Sequence, residues 1–369
     1  MRRIFCCLLA ALLLCSCSPA GSGGGYEAGI MLDCARRYFS VSEIERYIDL
    51  LSGGSEPFLH LHLSDNENVG VECALLGQTA ESAELLADGS CLNTETGKRF
   101  LSADQIRAIL VYAEDNGVSI IPEVDMPAHM GGFFALAKGC PGDFDLGSIE
   151  ADQRLFPGEM DISSPEAVRF SRALYSEYAS LFSGCGRFHI GCDEYGARSG
   201  DGVAAYINDT AAFLRERGFS VLVWNDLLTK DDLPLIDAGL CVTYWSPDGD
   251  TDDPALSAAR KKTRAGPADL CAGGFSLLNY DSYYLYCVPS AENCTEENIS
   301  FAADDIRANW SPRRPGGEDA PTLPGRYRPL GAAVCVWGED SGGMDADAIY
   351  RFAEPLYSAM LGVLSGERE

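Results

Sequence analysis

The sequence predicts a single (β/α)8 TIM barrel, an α/β fold in which eight parallel strands alternate with helices. Three observations predict this fold: eight apolar stretches of strand length, helical patterns between many of them, and a polar or aromatic end to most stretches. The 369 residues suit one such domain, because these barrels commonly need about 250 residues or more. The sequence contains no internal repeat and no second apolar core.

The eight apolar stretches have the length and composition of buried strands. They are rich in Val, Ile, Leu and Phe, which fits a parallel sheet covered on both faces. The predicted strands are Gly29–Ala35, Phe58–Asp65, Val118–Asp125, Arg187–Glu194, Ser220–Asp226, Leu240–Ser246, Phe275–Asp281 and Ala332–Asp340.

Helical patterns with a period of 3.6 residues separate many of these strands. The connections after the second and seventh strands are long, and we expect loops or small additional elements at residues 66–101 and 283–330. The clearest predicted helices span residues 41–51, 103–116, 165–182 and 202–217.

The charge balance excludes one large class of partners. The chain has 28 Lys and Arg against 55 Asp and Glu, a net charge of −27. Such a surface repels phosphate backbones and anionic lipid headgroups, so we expect no nucleic acid partner. Neutral or cationic ligands remain.

The first 17 residues have the pattern of a bacterial export signal. Two arginines precede an apolar run from Ile4 to Cys15, which is too short to span a bilayer as a helix. The sequence Leu14-Cys15-Ser16-Cys17 resembles the lipobox of bacterial lipoproteins, in which a cysteine is lipidated after cleavage. We expect Cys17 to carry the lipid, with Cys15 as the alternative.

The remaining chain then divides into two parts. Residues 18–25 are rich in Gly and Ser and predict a flexible tether, and residues 26–369 form the predicted catalytic barrel. We therefore expect an exported protein that contacts the membrane only through its N-terminal lipid, at the bacterial cell envelope.

Two neighbouring carboxylates stand out at the end of the fourth predicted strand. Asp193 and Glu194 are adjacent, so they cannot easily flank a glycosidic bond on opposite sides as an acid and a nucleophile. A division of labour fits better: Glu194 protonates a leaving oxygen while Asp193 orients a nucleophile that the substrate supplies. A solvated acidic strand end is the alternative interpretation.

The segment around this pair resembles the HxGxDE signature of glycoside hydrolase family 20, the β-N-acetylhexosaminidases. The resemblance implies a TIM barrel, no cofactor, and retaining hydrolysis in which the 2-acetamido oxygen of the substrate is the nucleophile. Within the family it extends to the branch that degrades poly-β-1,6-N-acetylglucosamine, which makes that glycan the expected substrate. The motifs that carry it are GIMLDCARRYFS, FLHLHLSDNEN, TGKRFLS, IIPEVDMPAHM, FHIGCDEY, VWNDLL, TYWSPDGDTDD, LNYDSYYLY and VWGED.

The resemblance also implies roles for single residues. Glu194 matches the general acid and base, and Asp193 matches the residue that holds the acetamido N–H. Asp65 and His129 match positions that hydrogen-bond in series toward the acid. Arg36 matches an arginine that grips sugar hydroxyls, and Glu339 matches an acid that accepts hydrogen bonds from hydroxyls on the far side of the terminal sugar.

Aromatic residues at strand ends predict the walls of a sugar pocket. Trp224, Trp245 and Trp337 all follow apolar runs, and aromatic faces stack on sugars or enclose an acetamido methyl group. Tyr284 and Tyr286 are two residues apart and share a face if the chain is extended there. One of them, with Tyr286 favoured by the resemblance, is expected to hydrogen-bond the acetamido oxygen.

An acidic loop, Trp245–Asp253, is expected near the rim of the pocket. Asp253 matches an acidic position of the poly-N-acetylglucosamine branch, and the loop is suited to attract ammonium groups of a partly deacetylated glycan. A solvated turn is the alternative. Where that branch has an aromatic residue after the catalytic pair, this chain has Ala197, so we expect a different subsite on the leaving side.

Other functions remain open at this point. A metal-dependent barrel hydrolase would use the spacing of His60 and His62, but only four histidines are present, so we expect no metal site. Within the family, a general exo-hexosaminidase or a lacto-N-biosidase acting on host or dietary glycans is the alternative. A lipoprotein that binds glycans without cleaving them is the alternative outside enzymes.

Overall fold

The computed structural model describes residues 25–139, 144–197 and 202–366. The predicted export signal, its Cys17 anchor and most of the tether therefore lie outside the described residues. Within them, the strands are β1 (Glu27–Asp33), β2 (Pro57–His62), β3 (Glu84–Leu85), β4 (Cys91–Asn93), β5 (Lys98–Phe100), β6 (Ser119–Glu123), β7 (Arg187–His189), β8 (Ser220–Trp224), β9 (Cys241–Tyr244), β10 (Ser276–Asn279), β11 (Tyr286–Cys287) and β12 (Gly331–Val336).

Helices lie between most of the barrel strands, as the sequence predicts. In the described ranges they are α1 (Val41–Leu51), α2 (Ala103–Asp115), α3 (Gly131–Gly139), α4 (Pro165–Leu181), α5 (Gly202–Arg215), α6 (Pro254–Thr263), α7 (Pro267–Ala272), α8 (Ser282–Leu285), α9 (Glu296–Asn309) and α10 (Ala346–Gly366). Capping explains two of the starts. Ser40 with Glu43 and Ser102 with Gln105 form reciprocal capping boxes at α1 and α2.

The predicted TIM barrel is confirmed. The parallel strands follow the order β1-β2-β6-β7-β8-β9-β10-β12, and β12 pairs back onto β1 to close the barrel. Met31 of β1 illustrates the closure, because it is in register with His60 of β2 on one side and with Cys335 of β12 on the other. Each of the eight predicted strands overlaps one of these observed strands.

Side chains alternate between the inside and the outside of the barrel, as the period of a strand requires. Met31 belongs to the cluster that fills the barrel, whereas its neighbours Ile30 and Leu32 pack with the surrounding helices. Phe58 fills the interior so closely that a Cβ atom at Gly29 would lie 2.2 Å from its ring. The interior is therefore a packed core that supports the site at one end.

Both long connections contain small elements, as expected. Strands β3, β4 and β5 form an antiparallel sheet within residues 66–101, and α9 lies within residues 283–330. The seventh barrel position contains a second short strand, because α8 follows the predicted strand and β11 comes directly after that helix. Both β10 and the short β11 pair with β12, so the chain returns to the barrel after one turn of helix.

Two further features of the described residues are the polarity of the helices and the state of the cysteines. None of the helices in the described ranges is long and apolar enough to cross a membrane. The ten cysteines of these ranges form no disulfides with one another, and six of them are buried, where a thiol behaves as a small apolar group.

Candidate active site

The chain leaves β7 after only three residues and enters an irregular turn that carries the two neighbouring carboxylates. Cys192 and Glu194 adopt left-handed backbone conformations, with φ of 71° and 46°, which are costly for residues other than glycine. Backbone hydrogen bonds to buried acids hold this turn. The N–H of Cys192 donates to Oδ1 of Asp125 at 3.2 Å, and the N–H of Glu194 donates to Oδ2 of Asp226 at 2.7 Å.

Gly191 is the one position in this turn where only glycine fits. Its φ is 72°, and a Cβ atom there would lie 1.6 Å from Oδ1 of Asp125. The glycine of the HxGxDE pattern thus allows the Asp125 carboxyl to approach the backbone of the turn.

Asp193 lies in a mostly buried environment. Only 15% of its side chain is exposed, and burial, with the nearby charges of Asp226 and Glu194, raises its pKa to about 7 against the opposing effect of His129. Burial together with the Asp193 charge also raises the pKa of Asp125 well above its usual value. Oδ1 of Asp193 is buried and has no hydrogen-bond partner in the described part of the chain, so it is available to accept a hydrogen bond from a ligand.

Glu194 has a different environment from its neighbour. Its side chain is 54% exposed, and its Oε2 lies 3.4 Å from Nε2 of His129. The hydrogen bond from His129 lowers the pKa of Glu194, with burial as a smaller opposing effect. The two adjacent carboxyls therefore have opposite pKa shifts, which is the pattern expected of two groups with different roles.

A chain of hydrogen bonds and ion pairs leads from the barrel mouth to Glu194. Nδ1 of His129 donates to Oδ1 of Asp65 at 3.2 Å, and Nη2 of Arg36 lies 2.7 Å from Oδ2 of the same carboxylate. Burial works against the charge on Asp65, but the hydrogen bonds from His129 and His62 outweigh it and hold its pKa well below the usual value. Asp193 and Asp65 in turn raise the pKa of His129 despite its burial, which keeps it an imidazolium.

The other three histidines surround one buried glutamate. Oε2 of Glu123 lies 2.7 Å from Nδ1 of His62 and 3.1 Å from Nε2 of His60, and Oε1 lies 3.0 Å from Nδ1 of His189. The indole N–H of Trp224 also donates to Oε1, at 2.7 Å. Nε2 of His62 continues to Asp65 at 3.0 Å, so all four histidines belong to one connected network.

Ligand atoms in this network come close enough together to hold a metal ion. The three groups are His60, Glu123 and His189; His62, Glu123 and Asp125; and Asp125, His129 and Asp193. In the first group the atoms already bind one another, and the remaining ring nitrogens face Tyr280 at 3.1 Å and Thr243 at 2.8 Å. Each ring nitrogen of His60 and His189 therefore lies within 3.1 Å of a protein oxygen.

Three aromatic rings stand beside the carboxylates. The rings of Trp245 and Tyr286 are nearly parallel, with centroids 6.1 Å apart, and the rings of Tyr286 and Trp337 lie 5.4 Å apart at a steep angle. Trp245 is also tied to the catalytic turn, because its indole N–H donates to Oδ1 of Asp226 at 3.3 Å. Trp224 differs from the expectation of a pocket wall: it is 1% exposed and packs behind Trp337 within the barrel.

The expectation that Tyr284 and Tyr286 share a face is wrong. Tyr284 lies in the helix α8, so the period of two for an extended chain does not apply. Its ring packs against Tyr283 and joins the core outside the barrel, whereas Tyr286 joins the aromatic cluster inside it. The structure thus places the two tyrosines in different surroundings, a distinction that the sequence alone could not make.

Arg36 and Glu339 lie at the mouth of the barrel. Asp33 accepts hydrogen bonds from the guanidinium of Arg36 at 3.1 Å and from the backbone N–H of Gly338 at 3.0 Å, which brings the β12 end next to Arg36. The guanidinium of Arg36 also lies 5.5 Å from the centre of the Trp337 ring. Burial raises the pKa of Glu339, with a smaller opposing effect of Arg36.

The acidic loop is more structured than a solvated turn. Asp253 caps α6, and its Oδ1 accepts the backbone N–H groups of Ala255 and Leu256 at 2.8 and 3.3 Å. Asp248 is largely buried and pairs with Lys261 at 3.0 Å. Part of the negative charge of this loop is therefore neutralised within the protein.

Several acids of this site were not assigned from the sequence. Asp125 and Asp226 stand at strand ends, a position that already indicates the active face of a barrel. Glu123 is the last residue of β6, and its inward direction follows only from the strand period. Their partners lie far away in sequence, so the hydrogen bonds that define their roles could not be predicted.

Comparisons with known proteins identify relatives of this chain. The family model described as glycosyl hydrolase family 20, catalytic domain, matches residues 28–201. The crystal structure of dispersin B superposes with a TM-score of 0.88 and 36% sequence identity, covering 93% of this chain and 100% of that one.

Two curated relatives match a shorter part. A β-hexosaminidase of Vibrio furnissii is 29% identical over 199 residues, which is 52% of this chain and 32% of the relative. A lacto-N-biosidase of Bifidobacterium bifidum is 25% identical over 202 residues, which is 49% of this chain and 16% of the relative. The chain therefore spans less than a third of the length of either relative.

Proposed function

Because the chain belongs to glycosyl hydrolase family 20, we propose that it is a retaining β-N-acetylhexosaminidase acting on β-linked N-acetylglucosamine. The observation that carries the proposal is the pair of carboxyls with opposite environments, a buried Asp193 with a raised pKa and a half-exposed Glu194 beside His129. Such a pair supplies one group that holds the substrate and another that exchanges a proton.

The geometry favours a nucleophile from the substrate. Oxygens of Asp193 and Glu194 lie 3.7 and 3.4 Å from the same nitrogen, Nε2 of His129. Because the two carboxylates are adjacent in one turn and share this neighbour, we infer that they do not act as an acid and a carboxylate nucleophile on opposite faces of the sugar ring. The acetamido oxygen of the substrate takes the place of the second carboxylate.

In the first step that we propose, the substrate supplies the nucleophile and Glu194 supplies the proton. The acetamido oxygen bonds to the anomeric carbon, the bond from that carbon to the leaving oxygen breaks, and Glu194 gives its proton to that oxygen. The buried, unpartnered Oδ1 of Asp193 accepts the acetamido N–H and stabilises the positive charge of the resulting oxazolinium ion. Water then attacks the anomeric carbon, and Glu194 takes a proton from that water. The bond from the anomeric carbon to the acetamido oxygen breaks, which restores the acetamido group and gives a product of retained configuration.

Glu194 must be protonated for the first step. In the free protein its pKa is lowered by His129, so it is ionised at neutral pH. A bound sugar removes water from this half-exposed side chain, and desolvation raises the pKa of a carboxyl. The imidazolium of His129, 3.4 Å away, is the neighbouring source of that proton.

The aromatic pocket suits an acetamido group. Tyr286 stands between the rings of Trp245 and Trp337, and we propose that its hydroxyl donates to the acetamido oxygen as that oxygen attacks. Arg36 and Glu339 at the barrel mouth offer a donor fork and an acceptor for sugar hydroxyls.

We further propose that the natural substrate is poly-β-1,6-N-acetylglucosamine. The resemblance to dispersin B over 93% of the chain supports this choice, and the net charge of −27 suits a neutral or partly deacetylated, cationic glycan. A general exo-hexosaminidase or a lacto-N-biosidase is the competing specificity within the family.

Hydrolysis of two substrates tests these proposals. The purified protein is given an aryl N-acetyl-β-glucosaminide and β-1,6-linked N-acetylglucosamine oligomers. We expect the oligomers to be preferred. Preference for the aryl glycoside would favour a general exo-hexosaminidase, release of a disaccharide from a lacto-type oligosaccharide would favour a lacto-N-biosidase, and binding without turnover would favour a glycan-binding lipoprotein.

The location of the protein is proposed from the sequence alone. We propose that the chain is exported and held at the bacterial cell envelope by a lipid on Cys17. Metabolic labelling with a fatty acid tests this: Cys17→Ala should lose the label, and Cys15→Ala, the matched control, should keep it. Loss of label only in Cys15→Ala would move the anchor to that residue.

A further inference from the structure

A buried glutamate holds the chain directly after the catalytic pair. Glu159 is 8% exposed, and both of its carboxylate oxygens accept the backbone N–H of Gly196 at 3.0 Å. Oε2 also accepts the N–H of Ala197 at 2.7 Å. A single side chain therefore satisfies two backbone donors that no strand or helix would satisfy in this irregular segment.

The segment that carries Glu159, residues 158–160, also holds the chain around His129. The backbone N–H of Met160 donates to the carbonyl of Pro127, and the N–H of Met130 donates to the carbonyl of Gly158, both at 2.8 Å. On its other side, the hydroxyl of Tyr195 donates to the carbonyl of Met160 at 3.0 Å. We call residues 158–160 the brace, because they connect the His129 segment to the Glu194 segment.

The brace spans the contact between His129 and Glu194, which requires two unfavourable backbone conformations. His129 and Glu194 both have left-handed backbones, with φ of 55° and 46°, and such conformations persist only when the surroundings hold them. The brace binds the residue directly after His129 and the residues directly after Glu194. It thereby holds both backbones that determine the 3.4 Å separation of His129 and Glu194.

We propose that Glu159 is a positioning residue for proton transfer by Glu194. It acts through the brace on the His129–Glu194 contact and does not touch the substrate. This inference rests on the proposed function, because it concerns the step in which Glu194 protonates the leaving oxygen. Small displacements of a catalytic group cost large factors in rate.

Two substitutions test which property of Glu159 matters, its two acceptor oxygens or the length of its side chain. Glu159→Gln keeps the size but has one acceptor oxygen, and its amide N–H₂ would face the donors of Gly196 and Ala197. Glu159→Asp keeps both oxygens and withdraws them by one methylene group. Glu177→Gln is the matched control, because Glu177 accepts the N–H groups of Ala74 and Leu75 at 2.6 and 2.9 Å, on a segment apart from the brace.

The test compares kcat/KM for two aryl N-acetyl-β-glucosaminides. The dinitrophenyl glycoside has a leaving group that needs no proton, and the phenyl glycoside has one that does. For Glu159→Gln we expect kcat/KM on the phenyl glycoside to fall about 10- to 100-fold and on the dinitrophenyl glycoside by less than about 3-fold. For Glu159→Asp, kcat/KM should also fall more on the phenyl glycoside than on the dinitrophenyl glycoside, but by a smaller factor. This variant provides the test if Glu159→Gln does not fold.

The outcomes distinguish this inference from the proposed function. Wild-type hydrolysis with an equal loss on both glycosides in the Glu159 variants would overturn the positioning role and leave the proposed function intact. An equal leaving-group effect in Glu177→Gln would overturn it as well, because general destabilisation would then explain both variants. A wild-type protein that hydrolyses neither glycoside would overturn the proposed function and this inference together.

Discussion

His129 and Glu194 face each other at 3.4 Å, and each has a left-handed backbone. The two residues are 65 positions apart in the chain, so their separation depends on how the barrel and its loops hold two strained turns. His129 lowers the pKa of Glu194, and the acids around His129 raise the pKa of its imidazole. This contact therefore links the histidine network inside the barrel to the proposed chemistry.

The catalytic carboxyls are the first prediction. Glu194→Gln should lower kcat on the β-1,6 oligomers about 100- to 10,000-fold, because the proton donor is lost, and Asp193→Asn should lower it by a similar factor, because a charge-stabilising acceptor is lost. Steady-state kinetics measures both, and circular dichroism checks the fold. Near-normal turnover in either variant would contradict the assigned roles.

The stability of Asp193→Asn should depend on pH. The folded pKa of Asp193 is about 7, above its unfolded value, so protonation of this side chain favours folding. That stabilisation is complete below the unfolded pKa and is lost as the pH rises through about 7. Because Asn does not ionise, the variant should be more stable than wild type at pH 8 by about 1 to 4 kcal/mol, with little difference at pH 4.

Thermal unfolding at the two pH values measures this difference. The exposed strand residue Glu84 provides the control, since Glu84→Gln should change Tm equally at both pH values. A variant Asp193→Asn that is less stable than wild type at pH 8 would show that its ionised form is stabilised in the fold.

The two tyrosines form a matched pair. Tyr286→Phe should lower kcat/KM about 100-fold, because it removes a hydrogen-bond donor aimed at the attacking acetamido oxygen. Tyr284→Phe should leave kcat/KM within about 2-fold, since that ring packs outside the barrel. The reverse ranking would place Tyr284 at the substrate and contradict the described course of α8 and β11.

Asp65 should set the protonation of His129. Asp65→Asn keeps the shape but removes the carboxylate that His129, His62 and Arg36 share, so the pKa of His129 should fall. We expect the alkaline limb of the kcat/KM profile to move to lower pH, with kcat/KM lowered about 10- to 100-fold at its optimum.

The pH–rate profile of Glu67→Gln is the control for this variant. Glu67 also contacts Arg36, at 3.3 Å, but it is not part of the hydrogen-bonded chain from Asp65 to Glu194. An equal shift of the alkaline limb in both variants would show that Arg36, rather than Asp65, controls His129.

The fold and the position of the Asp193–Glu194 pair at a strand end were predictable because their signals are local. Eight apolar runs gave the strands, and the polar residues that end them, such as Asp65 and Asp193, meet because parallel strands share one face. Asp253 could also have been assigned locally, since an Asp followed by Pro254 is a typical helix start.

The remaining features depend on tertiary contacts. Nothing in LNYDSYYLY indicates that four residues turn into a helix and send Tyr284 away from Tyr286. Glu159 lies in an irregular segment, and its proposed role depends on hydrogen bonds from the N–H groups of Gly196 and Ala197, which are 37 and 38 positions away. Trp224 follows a strand like Trp245, and only packing decides that it is covered.

The gathering of all four histidines around Glu123 and Asp65 has a practical consequence. No imidazole exists elsewhere in the sequence to obscure them, so a spectrum of the histidine ring protons is a spectrum of the catalytic centre. Ring signals that move when a glycan is added would report on that centre without any label or substitution.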